Sequence, residues 1–312
     1  MTERFPIQQK KLFYKLSRLG SAAMAATLAL SIWVNPATAA DPFRSSQPRN
    51  IGDKTEIAFK AIFQQGNYSA ADRLVSDAIS QEPNEPLAYA MKASLGYLNK
   101  DVGVLDTYSK KTLEIAEKLI PNDPLRGNLY AAVGNFLEAG VILTREGTVN
   151  GVPQALSKLR EVYKYLDQAE AVSANDPELN LIKGYMDLML AVNLPFANPD
   201  QAIERLEKNA GPQYLVYRGI ALAYRDLKQY DRALEYANKA LTATADNPEI
   251  YYLKAQIQQE KAKKDKNQRM MQEAIANFDK ALGKKSQLPT SLVKQIESEL
   301  RNAKNRLAEV GK

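Results

Sequence analysis

Apolar residues recur every three or four positions through most of this chain, and large side chains often alternate there with alanine or glycine. The stretch from Tyr214 to Asn247 shows the pattern most plainly. Tyr217, Ile220, Ala221 and Tyr224 fall on one helical stripe; a polar break follows, then Tyr230, Ala233, Ala237 and Ala240. A 3.6-residue period, a break and a closing Asp246-Asn247 predict two amphipathic helices joined by a tight turn. The small residues let the two backbones approach closely.

The same pattern returns along the chain. Phe59, Ile62, Gly66, Tyr68, Ala71, Ala78 and Pro83 repeat its spacing, with Gly66-Asn67 at the turn because glycine reaches positive φ freely. Four stretches end alike: Pro83-Asn84-Glu85-Pro86, Pro121-Asn122-Asp123-Pro124, Ala174-Asn175-Asp176-Pro177 and Ala245-Asp246-Asn247-Pro248. The second proline of each suits the first turn of a new helix, where its missing N–H costs nothing, and the Asn or Asp just before can cap it. Six hairpins are expected, at 52–85, 86–123, 124–176, 177–213, 214–247 and 248–289, after a linker at 41–51. A capping helix and tail at 290–312 carry Leu292, Val293, Ile296, Leu300, Ala303 and Leu307 on one stripe. Three hairpins are irregular. The two glycines within Arg145–Gly151 predict a loop in the third. Asn198 is read as a cap before Pro199 in the fourth, and a Lys-rich extension runs from Lys261 to Arg269 in the sixth.

The 34-residue unit at 214–247, with Tyr217, Ile220, Ala221, Tyr224, Tyr230, Ala233, Ala237, Ala240 and Ala245 at its marked positions, resembles the tetratricopeptide repeat (TPR). That resemblance implies an all-α solenoid of helical hairpins wound into a right-handed superhelix, whose concave groove is lined by the first helix of each hairpin. It also implies a scaffold that holds a protein or extended peptide without turnover. Helical spacing turns Lys60, Phe63, Tyr97, Asn128, Asn135, Tyr185, Leu188, Arg218, Leu222, Arg225, Tyr252 and Gln256 toward that groove. Arg218 and Arg225 lie seven apart on one face and could hold a partner carboxylate; pairing with Asp226 or Glu249 inside the chain is the alternative. Tyr217, Tyr224 and Tyr230 stand at packing positions. The lysine–asparagine combination of carboxylate-clamp TPRs is not found.

Charge and the first forty residues narrow the function. Lys10, Lys11, Lys15 and Arg18 precede an apolar run from Ser21 to Val34, and Ala37-Thr38-Ala39-Ala40 follows. Basic, apolar and small in that order is the pattern of a cleavable secretory signal at 1–40. At about 14 residues the run is short of the roughly 20 that span a bilayer, so no stable membrane insertion is expected after cleavage. The expected destination is the periplasm or, in a cyanobacterium, the thylakoid lumen. Without the leader, 37 basic and 35 acidic residues remain. The net charge of +6 thus falls to +2, which removes the case for nucleic acid. The chain has neither Cys nor His, which excludes the common nucleophile–base pairs and the usual zinc and haem sites. No catalytic residue, metal site or cofactor is expected. A cell-wall or glycan-binding module, and behind it a carboxylate-dependent helical enzyme, are the alternatives. From Lys254 onward 14 basic residues face 7 acidic ones, so an electrostatic docking patch competes there with a solvated face.

Overall fold

The computed structural model describes residues 41–44, 46–193, 199–244 and 246–310. The expected secretory signal at 1–40 and the expected Asn198 cap lie outside them. Every regular element among the described residues is helical.

Helices pair in chain order. α1 (Asp53–Phe59) runs into a wide π-helical turn, Lys60–Gln64, and returns as α2 (Tyr68–Gln81). Next come α3 (Pro86–Leu98) with α4 (Val102–Leu119), then α5 (Pro124–Val172), which folds on itself. α6 (Pro177–Asn193) precedes α7 (Pro199–Asn209), α8 (Gln213–Asp226) pairs with α9 (Tyr230–Ala243), and α10 (Pro248–Asp265) with α11 (Gln268–Leu282). α12 (Thr290–Val310) packs against α11 and buries Ile296, Leu300 and Ala303. The fold is an all-α solenoid of TPR-like hairpins.

Local chemistry explains the starts and turns. α3, α5, α6 and α10 each begin on a proline of the four terminal motifs. Asp123, Asp176 and Asn247 accept bonds from the first free N–H groups of α5, α6 and α10. At α3 the cap is Glu85 and not an Asn or Asp; its carboxylate reaches Leu87 N at 2.9 Å. Gly66 turns the first hairpin at φ 63°. The loop expected at 145–151 does not form. Only Gly147 leaves helical geometry, at φ 75° and ψ 172°, and divides α5 into two arms. Gly151 stays helical and serves close packing: a Cβ there would sit 3.2 Å from the Ile142 carbonyl oxygen of the facing arm.

The core runs through all the hairpins and buries Met91, Leu129, Tyr130, Leu166, Leu179, Leu206, Ile220 and Phe278. An open solenoid joins each hairpin only to its neighbours. Here the first also meets the fifth and sixth. Asn247 Nδ2 donates to the Phe63 and Gln64 carbonyls at 3.4 and 3.1 Å, satisfying the end of the π turn. Tyr68, at the start of α2, is buried beside Arg218 of α8 and Glu249 of α10, and burial followed by the Glu249 charge raises its phenol well above the ordinary range. The stretch 41–51, expected from the sequence to be a linker, is a packed strap that buries Asp41, Phe43 and Ile51.

Candidate functional site

The first helices of five hairpins surround an apolar cavity of about 430 Å3. Phe59 and Phe63 enter from the first hairpin, Leu87 and Met91 from α3, and Tyr130, Val133 and Phe136 from the first arm of α5. Leu181, Tyr185 and Met186 of α6 and Leu215, Arg218 and Leu222 of α8 complete the wall, with Phe43 of the strap closing one side. A second cavity of about 320 Å3 shares Tyr185 and Leu222 and reaches Leu188 and Arg225.

The polar groups of the main wall are bonded within the chain. Ser94 Oγ donates to the Ala90 carbonyl at 2.9 Å, and Tyr185 OH to the Leu215 carbonyl at 2.6 Å. Tyr130 OH donates to Glu178, and Arg218 is paired with Glu249 at 3.2 Å. The wall therefore presents hydrocarbon, and a water there lacks the two to four polar partners it needs. An apolar side chain gains what water does not.

Beneath the cavity lies a buried ionic cluster that the sequence did not announce. Arg126, in the first turn of α5, forks onto the Glu85 cap of α3 at 2.7 and 2.8 Å and donates Nε to Glu178 of α6 at 3.1 Å. One guanidinium thus ties three successive hairpins. Burial works against its charge, but the two carboxylates hold it protonated. Two carboxylates share that one cation, and burial raises Glu178 above the usual carboxylate range despite Arg126 and Tyr130. The only signal in the sequence is that Glu85, Arg126 and Glu178 each stand beside or close to a helix-starting proline.

The candidates from helical spacing divide into several groups. Phe63, Tyr185, Arg218 and Leu222 come together on the main cavity, and Leu188 and Arg225 on the second. Arg218 and Arg225 are engaged within the chain, by Glu249 and by Asp226 with Gln256. Asn128 and Asn135 are buried, each amide donating to the carbonyl four residues back on its own helix. Tyr252 is buried with its hydroxyl on Glu299 of α12, where Gln256 also bonds. Lys60 is exposed and paired with Glu56. Tyr97 is 62% exposed, away from the cavity. Tyr217 and Tyr224 pack around Tyr236, with ring centroids at 6.3 and 5.8 Å.

Three of the five cations of the Lys-rich extension are paired within the chain. Lys261 pairs with Asp231 and Asp265, Lys263 with Glu260 and Arg269 with Glu273, while Lys264 lies over the Tyr230 ring. Among the described residues no cluster of acidic side chains could hold a metal ion, and no helix is long and apolar enough to cross a membrane.

The tetratricopeptide-repeat family profile matches residues 216–257, which span most of α8, α9 and the start of α10. The chain carries a tetratricopeptide repeat over those residues. The repeat is of a kind that serves protein–protein interaction, and the match covers that one unit. Among solved structures, a thermophilic TPR protein of Thermus thermophilus is similar at 19% identity, over 80% of this chain and 97% of its own, with a TM-score of 0.31. The Cut9–Hcn1 hetero-tetramer of the APC/C is similar at 14% identity, over 80% of this chain and 48% of its own, with a TM-score of 0.37. No curated protein matches this chain significantly.

Proposed function

We propose that this protein is an exported TPR-type scaffold that holds a protein partner by inserting apolar anchor side chains of an extended segment into the apolar cavity. The observation that carries this reading is the wall itself, built from five first helices with its polar groups already bonded. Such a wall rewards a ring or branched aliphatic group but cannot satisfy a peptide backbone, so the backbone stays at the mouth. Export rests on the basic, apolar and small order of residues 1–40, which favours the periplasm or, in a cyanobacterium, the thylakoid lumen. Its role there is to assemble or hold an envelope or lumenal complex. The glycan alternative needs free amides and phenols, whereas Asn128, Asn135, Tyr185 and Tyr252 spend theirs inside the chain.

The test is a pull-down from envelope extract with the processed chain and its Ala90→Trp variant as parallel baits. Ala90 lies on the cavity wall, so an indole there fills the space. One discrete partner retained by the wild type and lost by a folded Ala90→Trp supports the reading; equal retention by both baits removes the cavity from it.

A further inference from the structure

The strap at 41–51 has no helix or strand among its described residues, yet its first residues are organised. The Asp41 carboxylate accepts from Phe43 N and Arg49 N, each at 2.8 Å, and from Arg44 N and Nη1. The turn is thus held together by its own aspartate. Among the described residues no backbone hydrogen bond joins it to the helices. It attaches through side chains. Phe43 enters the cavity wall and meets Phe59 edge-on, with centroids 4.9 Å apart. Arg44 pairs with Asp176, the cap of α6. Arg49 Nη1 donates to both oxygens of Asp123, the cap of α5, at 3.0 and 2.8 Å, and these two side chains are each 31% exposed. The scaffold is shaped to receive this main chain: a Cβ on Gly211 would sit 2.5 Å from the Phe43 carbonyl oxygen.

We propose that the strap is a ligand held in cis, and that the surface beneath it fits a partner segment presenting an aromatic ring followed by arginine. The inference rests on the cavity being the partner site and names what that site selects. The ring supplies hydrocarbon to a wall that offers no free polar group. The arginine answers the carboxylates of Asp176 and Asp123, which cap α6 and α5. A side-chain-only attachment lets a partner segment replace the strap piece by piece while the helices stay in place. Tethering gives the strap an effective concentration on the order of 1 mM, so a strap whose own affinity is in the tens of micromolar masks the site about ten- to a hundredfold.

The probe is a fluorescein-labelled peptide of residues 41–51, titrated by anisotropy into the processed wild type and a Phe43→Ala/Arg44→Ala variant. Saturable one-to-one binding to the variant, at least tenfold weaker binding to the wild type, and loss of binding when the peptide itself carries Phe43→Ala or Arg44→Glu are expected. Three results overturn the proposal: no saturable binding to a variant with native circular dichroism, equal binding to both proteins, or an unfolded variant. The last would make the strap part of the core. A partner that is lost on Ala90→Trp while the peptide fails to bind would leave the cavity reading intact and sink only this one.

Discussion

Removing the Arg126 guanidinium strands two buried carboxylates, Glu85 and Glu178, and frees the joint between three hairpins. Breaking a buried ion pair from one side costs about 3–5 kcal/mol. Arg126→Met should lower the urea midpoint accordingly, and the added Glu178→Leu should recover part of the loss. The pH dependence has two opposite signs. Glu178 lies above its ordinary range because it is buried, so the fold binds its proton more tightly than the unfolded chain does. Its contribution is greatest at low pH and declines as pH rises through the carboxylate range. Glu170 differs: burial pushes it up, but Lys183 and Arg205 outweigh that and lower it. Its contribution is present above the carboxylate range and lost as pH falls through its own lowered value. Urea midpoints between about pH 3 and 7 should therefore show Glu178→Gln losing least at the neutral end and Glu170→Gln losing most there.

At the level of single elements, the third hairpin depends on one backbone angle. Gly147 combines φ 75° with ψ 172°, a region open essentially to glycine, and no atom lies within 4 Å of where its Cβ would stand. Gly147→Ala therefore meets backbone strain alone, of about 1–3 kcal/mol. Hydrogen exchange should accelerate in both arms of α5 near the turn, with little change in α8 to α11. This hairpin also marks where the sequence stops being legible. Proline and cap chemistry is local, and it places the starts of α3, α5, α6 and α10. The composition of 145–151 is equally local but ambiguous, because a glycine that bends the chain and one that lets two arms touch look alike. Groove residues were hard to read for another reason. Helical spacing assigns a face, yet Asn128 and Asn135 bond back along their own helices, and Arg218 finds Glu249 across a hairpin boundary. Phe63, Tyr185 and Leu222 were readable because apolar residues on a first helix have few internal partners to divert them.

For the molecule as a whole, the contact of the first hairpin with the fifth and sixth changes how stability is shared. Neighbour-only solenoids unravel from an end. A chain whose first hairpin is bonded to Asn247 has no free first end within 53–282, so one cooperative transition is expected. Asn247→Ala removes both the cap of α10 and the two bonds to the π turn. It should cost about 1–3 kcal/mol and split the urea transition measured by circular dichroism, the 53–81 hairpin exchanging its amide hydrogens first. A single unbroken transition in that variant would show that closure carries no cooperativity.

That closing contact also bears on descent. Ordinary solenoids gain or lose whole units with little penalty, because a duplicated unit meets copies of the neighbours it had before. Between Phe63 and Asn247 this chain has no such freedom, since one hairpin more or fewer would carry the two bonding partners apart. A longer arm or turn, such as those of α5, leaves that contact in place, whereas an inserted or deleted hairpin breaks it.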